Sequence, residues 1–316
     1  MKVLISLGNS FYKSYPELGE QLRREGLEVE ELTAYDYPPP RDERIRAVRD
    51  AEIYIVGVDI IDREIMDAAP KLRLIIKHGA GFNNIDLEYA KEKGIAVTYA
   101  KGGNSQSVAE LAMGLMFAVS RKIPEAHMTV KTGGWNLYMG EELAGKVLGL
   151  LGYGNIGRRV ACMAKGVGMK VMAYDPFISK MQMDKDGVQM AELEEVLEEA
   201  DYISVHIPAT EQTKGMLNQK SFEKMKRSAY LINTSRGEIV NEEDLIACLK
   251  ERRIHGAALD VFCSEPPNNE FLGLDNVVCT SHIGACTMES AVYLTNVSYK
   301  NVKNFINSQP LENRLV

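Results

Sequence analysis

The chain of 316 residues is 45% hydrophobic and 26% charged, with a formal net charge of −7. That length suits two domains of roughly 100–200 residues each, and the composition is that of a globular chain, not a disordered one. The acidic balance argues against nucleic-acid binding as a main activity, because such proteins carry a basic excess on at least one face. It leaves small anions open, since a local group of Lys or Arg can attract them.

From the N-terminus, Met1-Lys2-Val3-Leu4-Ile5-Ser6-Leu7-Gly8 reads as a short buried strand ending in a Gly turn, not as a leader with a cleavage site. Apolar runs at 53–56, 74–76 and 96–98 predict further strands, with helices between them, for example at 17–25 and 62–69. The run Pro38-Pro39-Pro40 interrupts any helix and marks a loop. From about Lys101 the rhythm restarts. A long apolar-faced helix at 107–121 leads into a loop that holds the only tryptophan, Trp135. Six strands then follow at 147–151, 170–174, 202–206, 230–233, 256–259 and 277–280, separated by helical segments, as a doubly wound dinucleotide-binding domain requires. A last helix at 288–307 precedes a tail that comes after the second series closes, so it can cross back to the first domain.

The longest apolar stretch, 111–119, is far short of the ~20 residues of a membrane helix, and no membrane association is expected. The five cysteines, Cys162, Cys248, Cys263, Cys279 and Cys286, lack CxxC spacing. Neither a disulfide framework nor a zinc site is expected, and a reducing cytoplasm is the simplest setting.

Gly152-Tyr153-Gly154-Asn155-Ile156-Gly157 matches G-x-G-x-x-G. Glycines are common, so the context carries the weight: an apolar strand precedes the match and a helical stretch, 158–166, follows it. Such glycines permit a tight turn, close approach of backbone to a pyrophosphate and close helix–strand packing, with the phosphates meeting free N–H groups at a helix N-terminus. The next strand ends at Asp175, where an acidic residue grips an adenosine ribose and repels a 2′-phosphate. No Arg or Lys stands at 176–179 to reverse that preference, so the cofactor expected is NAD.

Three ionisable residues fall at or just beyond strand ends of the same domain: Arg236, Glu265 and His282. Ligands of open α/β sheets sit outside the carboxyl ends of the strands, so the three can converge. A guanidinium holds a carboxylate or carbonyl oxygen with two parallel hydrogen bonds. An imidazole exchanges a proton with a substrate oxygen, and a neighbouring carboxylate orients it and favours its charged form. Taken singly, each also reads as an ordinary strand-end or loop residue. His127 reads as a helix-surface residue and His255 as a turn residue, whereas position alone leaves His78 and His206 as further candidates.

The chain resembles the D-isomer-specific 2-hydroxyacid dehydrogenases, most closely their phosphoglycerate dehydrogenase branch. The resemblance rests on Lys77-His78-Gly79-Ala80-Gly81-Phe82-Asn83-Asn84-Ile85-Asp86, Gly102-Gly103-Asn104-Ser105, Ser107-Val108-Ala109-Glu110, the glycine turn, Asn233-Thr234-Ser235-Arg236-Gly237, Ala258-Leu259-Asp260-Val261-Phe262, Glu265-Pro266-Pro267 and Ser281-His282-Ile283-Gly284-Ala285, in that order. It implies an α/β fold of two domains, a Rossmann NAD-binding domain (101–287) inserted into a flavodoxin-like substrate-binding domain (1–100 and 288–316). It implies Arg236, Glu265 and His282 as the catalytic set, with His282 the acid/base and Glu265 its partner. Gly152, Gly154, Asn155, Ile156, Gly157, Asp175, His206, Ile207, Pro208, Thr234, Ser235, Asp260 and Gly284 would contact or border NAD. Backbone N–H groups of Ala80 and Gly81 would receive the substrate carboxylate, with Lys77, Asn104 and Arg236 also at the substrate. A homodimer through the NAD-binding domain is implied, with the helix after Asn104 and the Trp135 loop in contact.

Two departures bear on the substrate. Phosphoglycerate dehydrogenases carry an Arg where this chain has Val56-Gly57-Val58-Asp59, and further basic residues where it has Asn136-Leu137-Tyr138-Met139. Replacing cations by apolar and acidic residues removes attraction for a phosphate dianion, so a small 2-hydroxy or 2-oxo acid is expected, of the glyoxylate, hydroxypyruvate or D-lactate kind, with 3-phosphoglycerate still open. No stretch of the chain resembles the C-terminal regulatory domain of longer relatives. Two other readings keep the fold: an NAD-sensing corepressor-like binding protein, against which stands the lack of peptide-recruiting tails, and a phosphite dehydrogenase, which shares a Lys at the position of Lys77.

Overall fold

Most strands of this chain are short apolar runs, and the computed structural model, which describes residues 1–9, 12, 15–35, 38–267 and 269–316, arranges its strands in two parallel sheets. A parallel sheet is covered by helices on both faces, so its central strands are near-continuous apolar runs and do not alternate. Ile53–Val56, Tyr202–Val205 and Gly256–Leu259 are accordingly buried throughout. The chain divides into two compact units, Met1–Asn104 with Ala285–Val316, and Ser105–Gly284.

The first unit runs β1 (Lys2–Ser6), α1 (Glu17–Arg24), β2 (Glu28–Glu31), α2 (Arg41–Val48), β3 (Ile53–Val56), α3 (Arg63–Asp67), β4 (Leu74–Lys77), α4 (Leu87–Glu92) and β5 (Ala96–Tyr99). Its sheet order, β2-β1-β3-β4-β5, is flavodoxin-like. Asp62 and Asp86 start α3 and α4 by accepting the N–H groups of Ile65 and Tyr89, which would otherwise lack partners. A closing helix, Met288–Ile306, capped by Thr287, returns to this unit and buries Val302 among Val3, Ile5, Leu22, Leu74 and Ile76. Beyond it, Arg314 bridges Thr98 in antiparallel fashion and the Leu315 N–H donates to the Val97 carbonyl at 2.8 Å, so the tail covers the open edge of β5.

The second unit runs α5 (Ser105–Ser120), α6 (Ile123–Lys131), β6 (Val147–Leu151), α7 (Asn155–Gly166), β7 (Lys170–Tyr174), α8 (Lys180–Lys185), β8 (Gln189–Met190), α9 (Leu193–Glu199), β9 (Tyr202–Val205), α10 (Gln219–Lys224), β10 (Tyr230–Asn233), α11 (Glu242–Lys250), β11 (Gly256–Leu259), α12 (Asn269–Leu272) and β12 (Val277–Cys279). The sheet order is β12-β11-β10-β9-β6-β7-β8, with its reversal between β6 and β9, the doubly wound dinucleotide-binding arrangement.

The structure corrects several expected boundaries. This sheet has seven strands where six are expected, because β8 is two exposed residues with no apolar run to betray it. The charged edge strand β2, Glu-Val-Glu-Glu, is missed for the same reason. The helix after the glycine turn starts at Asn155, not 158, and the long helix at Ser105, not 107. The strand expected at 202–206 ends at Val205, leaving His206 beyond it. Among the described residues no helix is long and apolar enough to cross a membrane.

Candidate active site

The glycine turn leaves β6 at Gly152, whose φ of +100° is open only to glycine, and a Cβ there would lie 2.8 Å from the carbonyl carbon and oxygen of His206. At Gly157 a Cβ would lie 2.2 Å from the Gly152 oxygen, so the start of α7 rests directly on the strand end. At Gly154 it would meet nothing within 4 Å, and that open face adjoins the first N–H groups of α7. Gly154 has no side chain to cap them, which leaves an anion site at Asn155, Ile156 and Gly157.

Asp175 stands just beyond β7, its Oδ2 accepting the Tyr153 N–H at 2.8 Å and its Oδ1 the Phe177 N–H at 2.9 Å. Ser235 donates its hydroxyl to the Ile207 carbonyl, tying the loop after β10 to the loop after β9, where Pro208 is exposed. Thr234 Oγ1 is buried without a hydrogen-bond partner. His206 has Nε2 2.9 Å from Ser204 Oγ, and burial lowers it to about 4, so it is neutral near pH 7. An open glycine cradle, a helix N-terminus, a carboxylate and an orphaned hydroxyl together suit a dinucleotide.

The loops after β10, β11 and β12 carry the three ionisable residues. Asn233 shapes the first: its Oδ1 accepts the Ser235 N–H at 3.0 Å and its Nδ2 donates to the Arg236 carbonyl at 2.9 Å, a side-chain-closed turn. Arg236 Nη1 donates to the Ser235 carbonyl at 2.7 Å. Asp260, buried just after β11, organises the loop after β12. Its Oδ1 accepts Thr280 Oγ1 at 2.6 Å and the Ile283 N–H at 2.8 Å, its Oδ2 accepts the Gly284 N–H at 2.9 Å, and its carbonyl accepts the His282 N–H at 2.9 Å. That wrapping holds His282 at a φ of 55°, a left-handed conformation that costs a non-glycine residue energy and clusters at functional sites.

His282 Nδ1 lies 2.8 Å from Glu265 Oε2 and 3.0 Å from Oε1, and each side chain is 36% exposed. Burial pushes the Glu265 carboxyl up, but the hydrogen bond and charge of His282, the Phe262 N–H and the charge of Arg236 outweigh it and hold the group below the ordinary carboxylate range. An ionised carboxylate only accepts, so Nδ1 carries a proton and Nε2 is the nitrogen left to exchange one. The structure thus brings Glu265 and His282 into contact, with Arg236 close enough for its charge to be felt. The hold of Asp260 on His282 is invisible to sequence reasoning, which places Asp260 only beside the cofactor.

In the first unit Lys77 ends β4, is buried, and donates its ammonium to the Gly57 carbonyl. Ala80 and Gly81 follow in the next loop, half-buried, and Asn104 lies beyond β5 with Oδ1 buried and unpartnered. His78 has Nδ1 2.9 Å from Ser298 Oγ on the closing helix, and burial, with the charge of Lys77, lowers it to about 3. A histidine that stays neutral so far into acid is no proton shuttle near pH 7, which removes one candidate. Asp59, expected to give its loop an acidic face, is buried and accepts the hydroxyls of Ser6 and Tyr54. Burial raises its carboxyl despite those bonds and the charges of Arg44 and Lys77. What the loop shows outward is apolar: Val58 is 40% and Ile60 59% exposed.

Residues 113–284 match the family model of the D-isomer specific 2-hydroxyacid dehydrogenase, NAD binding domain. The D-3-phosphoglycerate dehydrogenase of Archaeoglobus fulgidus is 39% identical over 99% of this chain, which spans 59% of that relative's length. The glyoxylate reductase of Thermofilum pendens is 38% identical over 91% of the chain and 88% of its own length. The crystal structure of D-lactate dehydrogenase from Aquifex aeolicus, complexed with NAD and lactic acid, superposes with a TM-score of 0.84 at 29% identity, covering 98% of this chain and 96% of that one. With the glycine cradle and the parallel sheets in place, these matches show that the chain belongs to the D-isomer-specific 2-hydroxyacid dehydrogenases, NAD-dependent oxidoreductases of hydroxy acids.

Proposed function

We propose that the substrate is a small 2-hydroxy or 2-oxo acid without a phosphate, and that Arg236, Glu265 and His282 act on it. The observation that carries the catalytic part is the contact of His282 Nδ1 with both oxygens of an ionised Glu265, at 2.8 and 3.0 Å. NAD, when bound at the glycine cradle with Asp175 on its ribose, supplies or takes the hydride. In the reductive direction His282 Nε2 gives a proton to the carbonyl oxygen, and in the oxidative direction it takes one from the hydroxyl. Glu265 fixes the ring and balances the imidazolium charge. Arg236 offers a planar fork to the carboxylate or carbonyl oxygen. The substrate roles of Lys77, Ala80, Gly81 and Asn104, and the cofactor roles of His206, Ile207, Pro208, Thr234, Ser235, Asp260 and Gly284, belong to the same proposal.

The apolar outward face of Val58 and Ile60, and the inward commitment of Lys77 to Gly57, support the absence of a phosphate. A panel of glyoxylate, hydroxypyruvate, pyruvate and 3-phosphoglycerate, followed by NADH absorbance in both directions and with phosphite as a separate donor, tests this. We expect the highest kcat/KM among the unphosphorylated acids; preference for 3-phosphoglycerate or phosphite overturns the substrate reading.

We also propose a homodimer in a reducing cytoplasm. Trp135, Leu137 and Met139 are 84%, 92% and 90% exposed beside the exposed Met128 and Val130 of α6, an apolar patch of the kind that marks an interface. The cysteines are all free thiols. Sedimentation equilibrium of the Trp135→Ser/Leu137→Ser chain should give a monomer, and an unchanged mass overturns this assignment of the contact.

A further inference from the structure

The glycine turn carries a cluster of groups that the reaction above does not use. Tyr153, the second residue of the turn, is buried, and its phenol donates to Asp186 Oδ2 at 3.0 Å. Arg158, in the second turn of α7, donates from Nε to the Tyr153 carbonyl at 3.2 Å. Its guanidinium lies over the Tyr153 ring, 5.2 Å from the centroid, and its Nη1 is 3.7 Å from the same Asp186 oxygen. Asp186 itself follows α8, and its carbonyl accepts the Lys165 ammonium. The Tyr153 N–H meanwhile goes to Asp175. One residue's backbone therefore holds a carboxylate on its N–H and a guanidinium on its carbonyl.

Helix side chains lean toward the N-terminus, so Arg158 leans toward the glycine turn, whose Tyr153 N–H bonds Asp175. A partly exposed guanidinium in that place is the chemistry that takes a phosphate through two parallel hydrogen bonds. A 2′-phosphate on the adenosine ribose would meet Asp175 first, which repels it. It would gain Arg158 only if that side chain left Asp186 and the Tyr153 ring. We propose that Asp186 and Tyr153 sequester Arg158, so that rejection of a 2′-phosphorylated dinucleotide is shared between Asp175, which repels the phosphate, and Asp186, which withholds the cation that would bind it. The inference rests on Asp175 as the ribose ligand.

The test is calorimetric titration of NAD and NADP into four chains: the native one, Asp175→Ala, Asp175→Ala/Asp186→Asn, and that pair with Arg158→Met. Asn at 186 keeps an acceptor for the Tyr153 phenol and removes only the charge. The ratio of the NADP Kd to the NAD Kd falls in Asp175→Ala. It falls further, on the order of tenfold, when Asp186→Asn is added, a free-energy step of about 1.4 kcal/mol. Arg158→Met then abolishes that second gain. An unchanged ratio in Asp175→Ala alone overturns the ribose assignment. A ratio that moves with Asp175→Ala but not with Asp186→Asn, or a second gain that survives Arg158→Met, overturns the sequestration of Arg158. Circular dichroism checks each fold, and Arg158→Gln replaces Arg158→Met if the latter does not fold.

Discussion

The two units place polar groups at the carboxyl ends of parallel strands in opposite ways. In the second unit Asp175, Glu265 and His282 are partly exposed, and Glu265 and His282 bond each other. In the first, Lys77, His78 and Asp59 are all buried and bond inward, to Gly57, Ser298, and Ser6 with Tyr54. The same residue types, Asp and His, therefore stand partly open to solvent in one unit and serve as buried scaffold in the other. Histidine shows it most directly: His282 is partly exposed and bonds a carboxylate, whereas His78 is buried and held neutral near pH 7. What decides between the two fates is burial and partner, neither of which is a property of the residue alone.

The sharpest way to break this comparison is to remove a residue proposed to act on the substrate. His282→Ala is expected to lower turnover by a factor on the order of 10²–10⁴ while the NAD Kd stays within a few-fold, since the loss falls on proton transfer. Stopped-flow turnover and NADH fluorescence titration measure the two quantities, and native-like turnover would remove His282 from the mechanism. Next comes Arg236→Lys, which keeps the charge and loses the planar fork. A loss of about 2 kcal/mol of transition-state binding, roughly thirtyfold in kcat/KM, is expected from steady-state kinetics.

The scaffold shows in stability and not in turnover. His78 stands at about 3 in the fold, against an ordinary value of 6.5. The unfolded chain takes up that proton first, so between those values stability falls as pH falls, by up to about 1.4 kcal/mol per pH unit. His78→Gln removes that contribution, and urea midpoints from pH 7 to 4.5 should show a slope smaller by about one proton. An unchanged slope would assign the acid sensitivity to other groups.

Much of this architecture is legible in the sequence because parallel strands buried on both faces must be apolar runs, and Ile53–Val56 or Tyr230–Asn233 announce themselves that way. The edge strands β2 and β8 escape because an edge needs no such run: Glu28–Glu31 is mostly charged and Gln189–Met190 is exposed. The glycine turn is legible since only glycine tolerates the φ of Gly152. Asp59 is the opposite case. A sequence states its charge but not its direction, and the fold turns that charge inward against Ser6 and Tyr54. The control of the His282 loop by Asp260 is hidden for a related reason, because four hydrogen bonds to one residue arise only once β11 and β12 lie side by side.

The bond between His78 and Ser298 joins residues 220 positions apart, and Arg314 and Leu315 close the edge of β5 later still. A ribosome delivers the strands of the first sheet early, but the helix that buries Val3 and Ile5 and the tail that covers β5 emerge only after all of the second unit. During synthesis the inserted unit has all of its own elements, while its host waits with one apolar face covered only in part, by Leu18 and Leu22 of α1. The unit begun first is the last to be finished, and a nascent chain stalled between Gly284 and Met288 carries every strand of the second sheet while the first still lacks its closing helix.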